Sequence, residues 1–460
     1  MRTDGIETLL GDPKRAVRRM TLPLVVALLA QTVYNLIDAV WVAGLGPDAL
    51  AAVGLVFPVF FILIGLANGL GIGASAVVAR RIGADDREGA DSAARHSIWI
   101  AVVVSLILTI PLLAFADVIF SFVGGGEVEA LTLEYGRVIF LGTIIIFMAT
   151  LTNSLLRAEG AVKRAMAIMI FASILNIILD PIFIYTLGLG VAGAAWASLL
   201  AFTIATLVTL YWYLPGKGSY LNIGMRGFRY CSATTWDILR IGIPSAAEMI
   251  VLSISAFILN MVVIQFGGVD GVAIFSSGWR LLQLAMIPYL GIAGALVPIC
   301  AAAYGAKRYD KLSEAFSYSN RLTFISMALL AAALGIFAYE SVILFTYAEE
   351  TAHLADGMVL FLRISVLFLP FIGVGGVAAA MFQGIGMANR ALIGTILRNL
   401  ILTLIPAYML GARVGLVGIW WGQTLGEIAG SVLVLAWGWL TLRAMMAEAD
   451  KVRARTDTLD

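Results

Sequence analysis

Cysteine and histidine are nearly absent from this 460-residue chain: Cys231, Cys300, His96 and His353 are all it has, and they lie far apart. That scatter excludes a disulfide framework and a Cys/His metal cluster. It also leaves a membrane-embedded enzyme without the His/Asp cluster or metal site its chemistry would need. Charge is scarce too, with 13% Asp, Glu, Lys and Arg and a net charge of +1. No basic tract is interleaved with aromatics, so nucleic acid has neither a long-range field nor a footprint to meet.

Apolar residues take the place of what is missing. They make up 61% of the chain and give a mean hydropathy of +0.97, the signature of a polytopic membrane protein. The first apolar run follows Lys14, Arg15, Arg18 and Arg19, as a signal peptide would. It continues for about twenty residues without a cleavage site and is expected to be an uncleaved transmembrane helix.

Polar loops and Gly/Pro clusters divide the runs into twelve helices: 21–44, 52–79, 96–116, 132–156, 165–187, 191–213, 241–266, 271–303, 322–339, 353–382, 391–411 and 415–442. Basic residues test the division, because they accumulate on the cytoplasmic side. With both termini inside, 25 of the 30 Lys and Arg fall in cytoplasmic loops or tails; only Arg413 lies in an outer loop, and Arg137, Arg280, Arg363 and Arg398 lie within spans.

The chain also repeats itself. "GLGVAGAAWASLL" (188–200) matches "RVGLVGIWWGQTL" (413–425) at Gly190/Gly415, Gly193/Gly418 and Trp196/Trp421, all offset by 225. Arg137 matches Arg363 at offset 226, and "RMTLP" ending at Pro23 matches "RIGIP" ending at Pro244 at offset 221. Two six-helix halves that enter the membrane in the same orientation are related by a pseudo-two-fold axis along the membrane normal, a geometry common in secondary transporters. The expected organisation is a cytoplasmic segment 1–20, a first lobe 21–213, a basic cytoplasmic linker 214–240, a second lobe 241–442 and a cytoplasmic tail 443–460.

One acid breaks the first apolar run: Asp38, in "QTVYNLIDAVWVAGLG". A carboxylate in the hydrocarbon region costs roughly 2.5–3.5 kcal/mol and normally faces a bundle interior or a wet cavity. Asp38 and Asp180, counted from the outer ends of their helices at 1.5 Å per residue, both sit roughly 10 Å below the outer surface. Ser198 falls at the same depth, and Asn176 is one helical turn from Asp180. Gln31, Tyr34 and Asn35 share the Asp38 side of their helix and form a polar stripe, while Tyr135 and Asn153 lie on the fourth helix. Met148, Met166 and Met169 offer a pliable wall for varied apolar contacts.

Two carboxylates in one low-dielectric cavity repel, so such a pair takes up a proton or is neutralised by a small cation among oxygen ligands. Arg137 is the one counter-charge that the first half offers. At the repeat offsets, Asn176, Asp180 and Asp38 fall on Ile401, Ile405 and Leu259, so this constellation belongs to the first half alone. In the second half, "PSAAE" places Glu248 where a capping box would start a helix, and Arg280, Arg363 and Glu427 share a depth suited to mutual neutralisation.

The stretches "LLGDPKRA", "QTVYNLIDAVWVAGLGPDALAAVGL", "RAEG" and "NIILDP" resemble the multidrug and toxic compound extrusion (MATE) family, in particular its prokaryotic DinF-like branch, and the likeness runs from about residue 9 to 445. The resemblance implies an all-α, twelve-helix protein of two lobes, the MATE/MOP fold. It implies export of amphipathic, often cationic compounds in exchange for H+ or Na+, with no other cofactor and no catalytic residues. Asp38 and Asp180 then carry cation coupling, Asn176 and Ser198 complete the ion site, and a sodium ion, if that is the coupling ion, sits among these four. Gln31, Tyr135 and Asn153 match cavity positions, and Pro23 matches the proline at which relatives are proposed to bend. Unlike the NorM-like branch, this chain has Leu252 where that branch has a helix 7 acid. The expected protein is a monomer in the cell membrane of a prokaryote, acting on drug-like molecules. A lipid-linked saccharide flippase of the same superfamily is the alternative.

Overall fold

The computed structural model describes residues 3–121, 127–214, 216–347 and 349–457. Residue 215 of the linker and the first two and last three residues of the terminal segments lie outside the described residues. Among the described residues every regular element is helical.

The helices are α1 (Asp4–Leu10), α2 (Pro13–Ala43), α3 (Pro47–Gly83), α4 (Arg87–Ala114), α5 (Ala116–Ser121), α6 (Glu127–Leu141), α7 (Thr143–Ala158), α8 (Val162–Pro181) and α9 (Gly190–Trp212). Then come α10 (Ser232–Gly305), α11 (Tyr309–Ile336), α12 (Ala338–Thr346), α13 (Ala355–Ser365), α14 (Leu369–Gly384), α15 (Ala388–Ile396), α16 (Leu404–Val414) and α17 (Leu416–Asp457).

Ten uninterrupted helical stretches are long and apolar enough to span a bilayer. α10 counts twice, because Gly268 (φ 59°, ψ −155°) breaks it where two spans meet. α6 and α7, bent by 49° about Gly142, make one further span, so with α10 counted twice the spans among the described residues number twelve. Gly142 is needed at that bend because a Cβ there would run into the Leu199 side chain.

Most helices extend beyond the expected spans, since charged and capped ends continue a helix after the apolar run has stopped. Asp86 accepts the Gly89 N–H at 2.8 Å and caps α4, well before residue 96. α10 likewise begins at Ser232, more than three turns before "PSAAE", so Glu248 lies mid-helix and the capping-box expectation fails. Pro244 does not start a new helix there; the turns before it already satisfy the backbone.

The chain divides into two compact units: Met1–Gly11 with Leu22–Ala246, and Asp12–Thr21 with Ala247–Asp460. Two of the three divisions fall inside a helix, next to the repeat-related prolines Pro23 and Pro244, and the third falls between α1 and α2. Pro23 lies within the continuous α2, where its missing N–H and its ring weaken the helical ladder.

In the first unit, α3 packs on α4, α6 and α7, and α8 on α9. Small residues permit the close approach: a Cβ on Gly69 would stand 2.6 Å from Ala246, and one on Gly73 2.5 Å from the Ile238 carbonyl. Linker residues 216–231 form an ordered strap along this unit. The buried Glu159 carboxylate accepts Ser219 Oγ (2.8 Å), Tyr220 N (3.0 Å) and Leu221 N (3.3 Å). His96 Nε2 accepts the Cys231 N–H at 2.8 Å. Burial holds the Glu159 carboxyl above its ordinary range, with the three donors pulling the other way.

In the second unit, α17 packs against α14 and α16. Phe275, Phe361 and Trp420 form its aromatic centre, with ring centroids 4.7–5.8 Å apart. The sequence repeat has a structural meaning: Gly190 (φ 52°) and Gly415 (φ 70°) each take a left-handed turn ahead of the next span.

Candidate functional site

Four of the residues singled out by depth meet in the first unit. α2 carries Asp38, α8 carries Asn176 and Asp180, and α9 carries Ser198. Asn176 Nδ2 donates to Asp180 Oδ1 at 3.1 Å and to Ser198 Oγ at 3.0 Å. One amide therefore joins the carboxyl to the hydroxyl across two helices. Asp180 is fully buried and Asn176 nearly so. The Asp38 carboxyl is in direct interaction with that of Asp180. Asp38 Oδ1, Asp180 Oδ2 and Asn176 Oδ1 are buried oxygens with no hydrogen-bond donor among the described residues.

Two carboxyls within interaction range of each other need something positive between them, either a proton shared on one oxygen or a cation coordinated by several. Either fits the donor set, which is all oxygen apart from the Asn176 nitrogen. Arg137 does not supply the charge. Its Nη2 is held at 2.7 and 3.0 Å by Asp117 on the exposed surface, which rules it out as the counter-charge in this structure.

Tyr34 and Tyr135 lie within electrostatic reach of both acids, so α2 and α6 bring their phenols to the same place. Gln31 and Met169 are half-buried and Asn35 is exposed. Asn153 stands apart: its amide donates to the Ala165 carbonyl at 3.1 Å and ties α7 to α8. A clamp not expected from the sequence sits about one turn further along α2 and α8. Tyr185 Oη donates to the Trp41 carbonyl at 2.6 Å, with the two rings edge to face at 6.2 Å. A Cβ on Gly44 would collide with the Tyr185 hydroxyl, so this glycine was the available signal. Tyr185 is carried by a π-helical segment, Ile182–Thr186, directly after Asp180 and Pro181. Such segments recur at functional sites.

In the second unit the expected Arg280/Arg363/Glu427 group does not form. Arg280 and Arg363 are exposed, and neither makes an ion pair among the described residues. Glu427 instead faces Arg398, with Nε 3.5 Å from Oε2 and both residues buried. Shared depth misled here because depth says nothing of which helical face a side chain occupies. Glu248, freed from the capping role, accepts Gln383 Nε2 at 3.1 Å and Thr395 Oγ1 at 3.4 Å.

The comparisons with known proteins agree with this architecture. The family described as MatE matches residues 23–182 and 244–409, so the two copies begin at the repeat-related Pro23 and Pro244. The multidrug export protein MepA of Staphylococcus aureus (strain MSSA476) is 27% identical over 418 residues, 90% of each chain. A structure described as the outward-facing conformation of a multidrug resistance MATE family transporter of the MOP superfamily has a TM-score of 0.93 and 41% identity, over 97% of this chain and 100% of that one. A MOP superfamily transporter from Pyrococcus furiosus, described by the reverse polarity of its binding pocket, has a TM-score of 0.93 and 40% identity, over 97% of this chain and 99% of that one. With twelve spans, an internal duplication and a family match across most of its length, the chain belongs to the MATE family of multi-pass membrane transporters and is not an enzyme.

Proposed function

We propose that this transporter is a secondary active multidrug efflux antiporter, exporting amphipathic, often cationic compounds in exchange for H+ or Na+. The observation that carries the reading is the Asp38/Asp180 pair with Asn176 bridging Asp180 to Ser198, Asp180 and Asn176 buried and Asp38 half-buried, where no Lys or Arg among the described residues makes an ion pair with either acid. A proton or cation entering there removes a costly negative charge. Losing it to the other side restores that charge, and this difference biases the unit between two packings. Tyr34 and Tyr135 border the pair, and Gln31, Asn35, Asn153 and Met169 extend the substrate-facing assignment along α2, α7 and α8. Pro23 is the point at which α2 would bend during transport.

The protein works as a monomer in the cell membrane of a prokaryote, with both termini in the cytoplasm and substrate taken from the cytoplasm or inner leaflet. The naming of MepA as a multidrug export protein supports the substrate class. The test is ethidium or fluoroquinolone export by cells expressing the protein, followed by proteoliposome transport driven by a pH gradient alone and then a sodium gradient alone. Export that persists unimpaired in Asp38→Asn refutes the coupling assignment; transport without any ion gradient refutes antiport.

A further inference from the structure

The second unit contains a buried charged cluster that the first-unit coupling does not use. Glu248 comes from the first half of α10, Gln383 from the end of α14, Thr395 from α15, Arg398 from the π-helical segment Leu397–Thr403, and Glu427 from α17. All five are buried. The space is shaped for the guanidinium: a Cβ on Gly430 would stand 2.5 Å from Arg398 Cγ, and one on Gly375 3.1 Å from Arg398 Nη1.

The cluster does not balance when fully ionised. Arg398 keeps its charge at any accessible pH, and its close partner is Glu427 at 3.5 Å. Among the described residues Glu248 receives two neutral hydrogen bonds, from Gln383 and Thr395. Two carboxylates against one guanidinium leave a net charge of −1 in a region where an uncompensated charge is expensive. The other titratable group beside Arg398 and Glu427 is Tyr289, from the second half of α10, whose ring lies against Gly376.

We propose that Glu248 is a second ion-carrying group of this transporter, one that takes up a proton and excludes sodium. The proton comes from water and adds to a Glu248 carboxyl oxygen, which brings the cluster from −1 to neutral; release to water reverses the step. Sodium, a hard cation, needs several oxygen lone pairs turned toward it. The amide N–H of Gln383 and the hydroxyl of Thr395 turn hydrogens toward Glu248 instead, and the fixed charge of Arg398 repels a metal cation. The inference goes beyond the first-unit reading and does not depend on it, because protonation of Glu248 is read directly.

The experiment is infrared difference spectroscopy of the full-length protein in lipid nanodiscs, stepping pH with and without sodium. A protonated-carboxyl C=O stretch is expected to appear on acidification, to be lost in Glu248→Gln, to survive in Asp38→Asn and Asp180→Asn, and to be unmoved by sodium at constant pH. A spectrum unchanged in Glu248→Gln overturns the proposal, as does a band that sodium removes. Should Glu248→Gln not purify as a folded protein, Glu248→Asp takes its place: a shifted band supports the assignment and an unshifted one overturns it. The first-unit reading fails or stands separately, through the bands lost in Asp38→Asn and Asp180→Asn.

Discussion

In the first unit, Asp38 and Asp180 meet in the company of an amide, a hydroxyl and two phenols; in the second, Glu248 and Glu427 share their surroundings with Arg398. The helices at these places correspond by repeat, yet one polar centre lacks a fixed cation and the other has one built in. A pair of acids with no counter-charge among the described residues must recruit a positive partner from outside, which is what the proposed coupling requires. A carboxylate already faced by a guanidinium has its partner, and only the surplus acid is left to exchange anything. Duplication therefore preserved the scaffold, including the left-handed glycines at Gly190 and Gly415, while the charge placed within each copy diverged.

The sharpest way to break the comparison is to remove one acid from each centre. Asp38→Asn or Asp180→Asn is expected to reduce drug export to the level of cells lacking the transporter, measured as ethidium accumulation. The same assay on Glu427→Gln, which leaves the first centre intact, is expected to retain export.

Stability should show the reverse order. Arg398→Leu strands two acids in the interior and is expected to cost about 3–5 kcal/mol, whereas Arg398→Leu with Glu427→Leu costs far less, because removing both partners together leaves the net charge of the cluster unchanged. Thermal unfolding in detergent reads the difference; equal losses in the two proteins would show that the pair is not the source.

A smaller effect is expected at the linker strap. Glu159→Ala leaves the Tyr220 and Leu221 N–H groups without their acceptor, at about 1–3 kcal/mol. Because burial raises the Glu159 carboxyl above its ordinary range, its contribution is complete below the ordinary glutamate value and fades as pH rises through the raised one. Glu159→Gln should flatten that part of the melting temperature against pH.

Smallest is Ser198→Ala, which removes one acceptor from Asn176 at about 1 kcal/mol. Ser198→Thr keeps the hydroxyl and is expected to transport as the natural protein does, in the same export assay.

Much of the first centre was legible before any coordinates. Asp38, Asn176, Asp180 and Ser198 are polar residues in apolar helices, and counting residues from the helix ends sets their depth because the helical rise is constant. The second centre was not legible in this way. Glu248 looked like a cap because Pro-Ser-x-x-Glu is ambiguous between a helix start and a proline within a helix, and only the upstream turns from Ser232 decide between them. Glu427 was assigned to arginines at its own depth, while its real partner, Arg398, reaches it from the π-helical segment of the neighbouring span. Asn153 was placed with the cavity by likeness; that one of its amide hydrogens ties α7 to the Ala165 carbonyl of α8 could not be read from the sequence.

By itself the sequence determined the membrane setting, the twelve spans and the duplication, since each follows from apolar run lengths, the placement of glycine and proline, and residue spacing along one chain. The tertiary structure alone decided which buried charges are paired. Azimuth about a helix axis and contact between helices far apart in sequence are set by packing, and no periodicity within a single span encodes the partner that another span will bring.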